Sequence, residues 1–344
     1  MQNSKTHIDL FDYKLPKELI AHYPAKMRDK CRLMILDCNN SSIKNGIFSD
    51  IISYLDDNSF LVVNNTKVFN ARIYATKTTG GKSEVFVTEV LPNKLFKGLV
   101  RGKFKSGDSV FVDSCKIELI EKDNDGIWLL TSNQDIESIM EKSGHIPLPP
   151  YINREDTIQD KNDYQTIFAN KSGSAAAPTA GLHFTTDLIN SLKLKGVEVI
   201  EITLNVGIGT FRPVKTEYLE DHIMHKEDFF ISEESAYRIN TLKAQGKKLT
   251  AVGSTCVRTL ESAVDSNGSI KAGAGSSNLF IKPPYKFNAV DNIITNFHLP
   301  KSTLLAMIIA FGGYDFVMSA YEKAVQEKYR FFSYGDAMYI KGKK

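Results

Sequence analysis

The chain has 344 residues, 42% hydrophobic and 24% charged, with a formal net charge of +3. This is the composition of a soluble globular protein with room for two or three domains, and it permits a nucleic-acid partner through a local patch without requiring one. Residues 1–12 lack the apolar core of a signal peptide, and the most apolar run, residues 304–311, is too short to cross a bilayer, so a membrane is not expected.

The four cysteines, Cys31, Cys38, Cys115 and Cys256, form no Cys-x-x-Cys pair and no zinc spacing. Reduced thiols, a cytoplasmic setting and no metal are expected. Pro16 suits the first turn of a short helix, and Pro24 stops it. A strand is predicted over residues 33–36, a turn at Asn39-Asn40, a helical stretch over 48–55 and a buried strand over 60–63. That strand ends in the polar turn Asn64-Asn65-Thr66-Lys67.

Between residues 68 and 143 short β-type runs (84–90, 110–112, 116–120, 127–131) alternate with glycine and aspartate turns, the pattern of a small antiparallel barrel. Lys94, Lys97, Arg101, Lys103 and Lys105 gather there, either as a solvated face or as a surface tracking a phosphate backbone. The proline-rich stretch Gly144-His145-Ile146-Pro147-Leu148-Pro149-Pro150-Tyr151-Ile152 reads as a stiff connector. The segment 164–168 is read as a strand or a helix start. Small residues then run from Ser172 to Gly181 and lead into His183-Phe184. Thr185 or Thr186 caps a predicted helix ending near Lys195, so this loop feeds a helix N-terminus.

Alternation predicts a strand over 200–208, which opens into Gly207-Ile208-Gly209-Thr210-Phe211. His222 and His225 have metal-like spacing, but no clear helix presents them together. The last third repeats strand, polar loop, helix. The strand over 248–252 opens into Gly253-Ser254-Thr255-Cys256-Val257-Arg258, and the strand over 293–297 opens into His298-Leu299-Pro300-Lys301-Ser302-Thr303. The apolar helix 304–311 ends at Gly312-Gly313, and Asp315 caps a helix over 316–327. Cys256, near a helix start, is either a lowered-pKa thiol or a buried inert one. This repetition predicts an α/β layer with mainly parallel strands, and ligands in such layers bind beyond the carboxyl ends of the strands.

Several long motifs carry a resemblance. They include Asn65-Thr66-Lys67-Val68, the proline-rich connector, Tyr164-Gln165-Thr166, Ala176-Ala177-Pro178-Thr179-Ala180-Gly181-Leu182-His183-Phe184 and Val206-Gly207-Ile208-Gly209-Thr210-Phe211. Arg258-Thr259-Leu260-Glu261-Ser262-Ala263, Thr295-Asn296-Phe297-His298-Leu299-Pro300 and Tyr329-Arg330-Phe331-Phe332-Ser333-Tyr334-Gly335-Asp336-Ala337-Met338 complete the series. In these motifs the sequence resembles the S-adenosylmethionine:tRNA ribosyltransferase-isomerases of queuosine synthesis. The resemblance implies an α/β catalytic domain (residues 1–67 and 144–344) interrupted by a β-barrel domain (residues 68–143). It implies transfer and isomerisation of the ribosyl part of S-adenosylmethionine onto 7-aminomethyl-7-deazaguanine at the tRNA wobble position. The products are epoxyqueuosine-tRNA, adenine and methionine. Asn65, Asp163, Asn205 and Pro284 stand where the pattern has Asp, Arg, His and Gly.

Such a reaction needs S-adenosylmethionine held, the proton on its 5′ carbon removed, a neutral amine to attack, and adenine stabilised as it leaves. His183 and His298 are candidates for acid/base work, with an orienting role as the alternative. Arg258 is a candidate to hold a carboxylate or phosphate, with an ion pair to Glu261 as the alternative. Thr179, Gly181, Phe184, Gly209, Thr210, Phe211 and Thr255 are candidates for the S-adenosylmethionine pocket, the phenylalanines by stacking. Tyr151, Arg330 and Asp336 are candidates to receive the wobble base, and Arg101 and Lys103 to contact the tRNA. A monomer is expected. An S-adenosylmethionine methyltransferase and a non-catalytic tRNA-binding module are the rival readings.

Overall fold

The computed structural model describes residues 5–152, 154–207, 214 and 216–343. The chain opens with short 3-10 turns and then β1 (Arg32–Asp37), β2 (Ser42–Ile47), β3 (Ser59–Asn64) and β4 (Thr66–Val68). There follow β5 (Arg72–Lys77), β6 (Lys82–Val90), β7 (Leu95–Val100), β8 (Ser109–Val112), β9 (Cys115–Lys122) and β10 (Trp128–Ser132). Helix α1 (Ile136–Ser143), β11 (Gly144–His145), the single turn α2 (Asp160–Asp163) and β12 (Lys171–Ser174) lead back. The remainder is α3 (Thr186–Leu194), β13 (Glu198–Leu204), β14 (Glu227–Ile231), α4 (Glu233–Ala244), β15 (Lys248–Val252) and α5 (Ser254–Ala263), then β16 (Gly273–Ser277), β17 (Asn292–Asn296), α6 (Thr303–Gly312), α7 (Tyr314–Gln326) and β18 (Ala337–Lys341).

Nine strands form one sheet in the order β16-β14-β13-β3-β15-β17-β18-β1-β2. Its centre is parallel: β13 to β3, β3 to β15 and β15 to β17. β3 and β17 are buried on both faces, β3 as the unbroken apolar run Phe60-Leu61-Val62-Val63, whereas β13 alternates and leaves Glu201 exposed. The expected mainly parallel sheet is therefore corrected to a mixed one. β2 folds back on β1 as a tight hairpin, and β14 and β16 add antiparallel pairings at the other edge. β18 is antiparallel to β17, and the helices α6 and α7, bent by 120° to each other, connect the two strands.

Six strands, β5-β6-β7-β10-β9-β8, close on themselves through β5 and β8 into an antiparallel barrel. Alternation builds it: Cys115, Ile117 and Leu119 point inward from β9 while Lys116 and Glu118 face out. Its core is drawn from Ile73 to Met140 alone. The large sheet has a core on each face, one against α4 to α7 and one against α3 and the 3-10 helix Phe48–Ser53. Among the described residues no single helix is long and apolar enough to cross a membrane.

Several expectations shift. The 48–55 helical stretch is a 3-10 helix. The 164–168 segment is neither strand nor helix but the loop after α2. Strands β2, β4, β5, β7, β12, β14, β16 and β18 and helices α1 and α4 are not among the sequence expectations, although β5 alternates and α1 buries Ile136, Ile139 and Met140 at helical spacing. Asp315 lies in the first turn of α7, whose N-cap is Gly313. Residue 208 lies outside the described residues, and the strand predicted there ends at Leu204.

Candidate active site

The parallel strands place four loops on one edge of the sheet. β13 opens into Asn205-Val206-Gly207 and β3 into Asn65 and β4, while β15 opens into Gly253 and α5, and β17 into Phe297-His298. Gly253, at φ +88°, makes the sharp turn into α5, and a side chain there would lie 3.4 Å from Cβ of Ala180. The small-residue loop is thus packed onto the end of β15, as the run of small side chains suggested.

A groove of about 2010 Å³ runs along this edge between the sheet and the barrel. Its sheet-side wall includes Lys67, Gly173, Asn205, Gly207 and Glu227, and its barrel wall includes Thr88, Glu89 and Lys97. A small-molecule site is typically about 300–1,000 Å³, so this groove has room for a macromolecular segment as well. A small cleft nearby is lined by Ala25, Arg28, Cys31, Asp163, His183 and Arg330, and Arg28 borders both openings.

His183 ends the 3-10 turn Thr179–His183 and is buried, its ring packed on Phe48. The Asn296 side-chain amide donates to the Phe332 carbonyl at 3.2 Å and accepts from the Thr179 hydroxyl at 3.1 Å. Those two bonds fix which end of the amide is which. Nδ2 of Asn296, 3.0 Å from Nε2 of His183, is therefore the donor, and Nε2 accepts. The neutral ring then carries its proton on Nδ1, 3.2 Å from Sγ of Cys31. Burial, helped by the Arg330 and Arg28 guanidiniums, pushes His183 down to about 3. Both ring nitrogens are engaged by protein, and the ring is neutral at neutral pH.

His298 is not beside it. Its Nε2 meets the Thr295 hydroxyl at 3.0 Å, and its backbone is held by the Tyr321 and Tyr13 hydroxyls. Thr295 and Asn296 point to opposite faces of β17, so the two histidines lie on opposite faces of the sheet. Burial pushes His298 down to about 3 as well.

Arg258 is buried and pairs with Glu227, while its Nη2 donates to the Ser277 carbonyl at 3.2 Å. Glu261, the partner considered from spacing, instead accepts from the backbone N–H groups of Asn288, Ala289 and Val290. Glu227 also accepts from the Gly207 N–H at 3.2 Å, so the pair ties α5 to the loop after β13. The Thr255 hydroxyl and Nε of Arg258 are buried with no hydrogen-bond partner. Neither residue lines the groove or the small cleft.

Other candidates are placed differently from expectation. The Phe184 ring is fully buried between Phe48 and Phe168, so it is not free to stack on adenine. Gly181 is close-packed on Thr166. Asp336 is buried and accepts from the backbone N–H groups of Arg32 and Arg330 at 2.9 and 2.8 Å, so its carboxylate braces a turn rather than facing a base. Tyr151 packs on Phe332 with its hydroxyl at Ser333. Arg330 lines the small cleft. Arg101 and Lys103 are exposed on the barrel, away from the groove walls, and Lys97 on the wall is paired with Glu89 at 2.8 Å. Gly209, Thr210 and Phe211 lie outside the described residues. Cys256 is the inert alternative, since burial pushes its thiol up to about 12. Among the described residues no group of three His, Cys, Asp or Glu could hold a metal ion. Asn296, Glu227 and Cys31 were missed, because their partners come from distant parts of the chain and leave no local spacing.

The family model described as "Queuosine biosynthesis protein" matches residues 8–340. The chain belongs to this family. A relative from Sulfurihydrogenibium sp., the S-adenosylmethionine:tRNA ribosyltransferase-isomerase, is 48% identical over 334 residues, covering 96% of this chain and 98% of the relative. The protein of the same name from Trichlorobacter lovleyi is 43% identical over 335 residues, with 96% and 98% covered. The crystal structure of the S-adenosylmethionine tRNA ribosyltransferase of Thermotoga maritima aligns with a TM-score of 0.57 at 37% identity, covering 96% of this chain and 99% of that one.

Two departures from the queuosine biosynthesis pattern have local structural settings. The Asn65 amide donates to Glu201 at 3.0 Å and accepts from the Thr203 hydroxyl at 2.7 Å, a setting in which an Asp would face a second carboxylate. Asn205 accepts from the Thr66 hydroxyl at 3.0 Å and packs over Gly173, where an added Cβ would lie 2.9 Å from it. Asp163 lines the small cleft, and Pro284 follows Pro283 through a cis peptide bond, but neither substitution is explained by its surroundings.

Proposed function

We propose that this chain transfers and isomerises the ribosyl moiety of S-adenosylmethionine onto 7-aminomethyl-7-deazaguanine at the wobble position of tRNA. The products are epoxyqueuosine-tRNA, adenine and methionine. S-adenosylmethionine is the co-substrate. The observation that carries this reading is the groove along the carboxyl edge of the central parallel strands, with the family's own loops on its rim. Its volume leaves room for an anticodon loop, whose unpaired bases can be splayed into a pocket.

Residues 1–67 and 144–344 then act as one discontinuous catalytic domain, with residues 68–143 as an inserted barrel domain. The barrel's separate core supports this division. Thr179, Gly181 and Thr255, with Gly209, Thr210 and Phe211, are the proposed surroundings of S-adenosylmethionine. Tyr151 and Arg330 are the proposed neighbours of the wobble base, and Arg101 and Lys103 are outlying tRNA contacts. The roles of three residues change from proton transfer or direct binding to positioning. His183, held neutral, orients the small-residue loop against Asn296. Arg258, through Glu227, orients the loop after β13. His298 braces the turn after β17. The protein works in the cytoplasm, as a monomer.

Incubation with S-adenosylmethionine and tRNA carrying the precursor base tests the reading. Release of adenine and methionine, with epoxyqueuosine in the tRNA digest, is expected. Formation of S-adenosylhomocysteine would replace it with methyl transfer, and no cofactor consumption would reduce it to RNA binding.

A further inference from the structure

Tyr23 is a large aromatic residue left 61% exposed, and arginines hold both its ring and the backbone around it. The Arg154 guanidinium lies 4.3 Å from its ring centroid, and Nε of Arg154 donates to the His22 carbonyl at 3.2 Å. Nη1 of Arg330 donates to the carbonyl of Tyr23 itself, also at 3.2 Å. The backbone is thus pinned on both sides of the exposed ring.

Arg154 is itself locked. Asp160, only 2% exposed, takes both of its terminal nitrogens at 2.7 Å and also accepts from Thr157 and, at 3.0 Å, from the Tyr334 hydroxyl. A bidentate pair of this kind is strong and geometrically specific. Its effect is to hold a planar cation beneath an exposed ring. The residues that follow, Pro24, Ala25 and Arg28, line the small cleft together with His183 and Arg330. A rigid aromatic surface backed by guanidinium at the rim of a site is how proteins receive an unstacked nucleobase. Arg28 and Arg330 beside it would attract the adjoining phosphates.

We propose that Tyr23 is the stacking platform for an anticodon-loop nucleobase next to the target base, with Arg154 and Asp160 as the residues that position it. This rests on the reading of tRNA as substrate. Stacking on one aromatic changes RNA affinity by about 5- to 150-fold. Binding of an anticodon stem-loop RNA to the full chain should therefore weaken by about that factor in Tyr23→Leu and Tyr23→Ala, while Tyr23→Phe stays within about twofold. The KM for tRNA should rise in step. The KM for S-adenosylmethionine and kcat at saturating tRNA should not move. The salt dependence of binding should keep its slope, because no phosphate contact is removed.

Circular dichroism melts establish that each variant is folded, and Tyr23→Leu, which still covers the Arg154 stem, serves if Tyr23→Ala does not fold. Equal RNA binding by wild type, Tyr23→Leu and Tyr23→Phe would overturn the proposal. Equal loss in Tyr23→Phe and Tyr23→Leu would overturn it too, by assigning the effect to the hydroxyl. Failure of the wild type to bind the stem-loop RNA overturns the tRNA reading and this proposal together, whereas wild-type binding with unaffected variants overturns only the platform.

Discussion

At the residue scale the decisive feature is a hydrogen-bond chain with a single sense: Thr179 to Asn296, and Asn296 to Phe332 and to His183. Because the amide has only two protons to give, it leaves Nε2 of His183 as an acceptor and sends the ring proton towards Cys31. Glutamine can accept at that place through its carbonyl oxygen but cannot titrate. His183→Gln is therefore expected to keep turnover within about tenfold with an unchanged pH profile, whereas loss of a general acid or base costs about 10²–10⁴-fold. His183→Ala, which lets the loop drift, should lose about 10²-fold in kcat. Steady-state kinetics from pH 6 to 9 separate the outcomes, and an inactive Gln variant would return proton transfer to this histidine.

Elements show how local signals and tertiary packing divide the work. Helix α6 is apolar almost all round, and Leu305 to Ile309 are buried, as its composition requires. Its start is set by one side chain, the Ser302 hydroxyl accepting from the Leu305 N–H at 3.2 Å. Ser302→Ala should lower the unfolding free energy by about 1 kcal/mol in urea titration, with the fold retained. Caps and turns of this kind are legible in sequence, and so was α3, where Thr185, one of the two threonines expected as cap, accepts from Leu188. Strand β15 was legible to the residue because an apolar run between Lys248 and Gly253 has only one way to be buried. Strand β18 was not: its sequence carries the family motif, but its place between β17 and β1 comes from the α6–α7 return.

At the scale of the molecule, buried ionisable groups give stability a particular response to acid. His183 and His298 take up a proton only near pH 3 when folded, against about 6.5 when unfolded. As pH falls from about 6.5 towards about 3 the unfolded chain binds protons that the folded one refuses, so stability declines across that window. Asp160 behaves in the complementary way. Burial alone would raise its carboxyl, but the Arg154 and Thr157 donors outweigh it and hold the group at about 2. Its contribution is present above about pH 4 and is lost as pH falls from about 4 to about 2. Denaturant midpoints measured from pH 8 to pH 4 should fall below pH 6.5, and the double variant His183→Gln, His298→Gln should flatten that slope.

By itself, the sequence determined the family, the barrel texture, the α/β layer and the small-residue loop feeding the capped helix α3. These follow from periodicity, turn chemistry and long motifs, all of them local along the chain. Only the tertiary structure decided the mixed sheet and the separation of the two histidines. It alone decided that Arg258 faces Glu227 rather than Glu261, and that Asn296 sets the tautomer of His183. Each of these depends on which distant segments meet across the sheet, and hydrogen-bond direction, burial and charge pairing exist only once they have met.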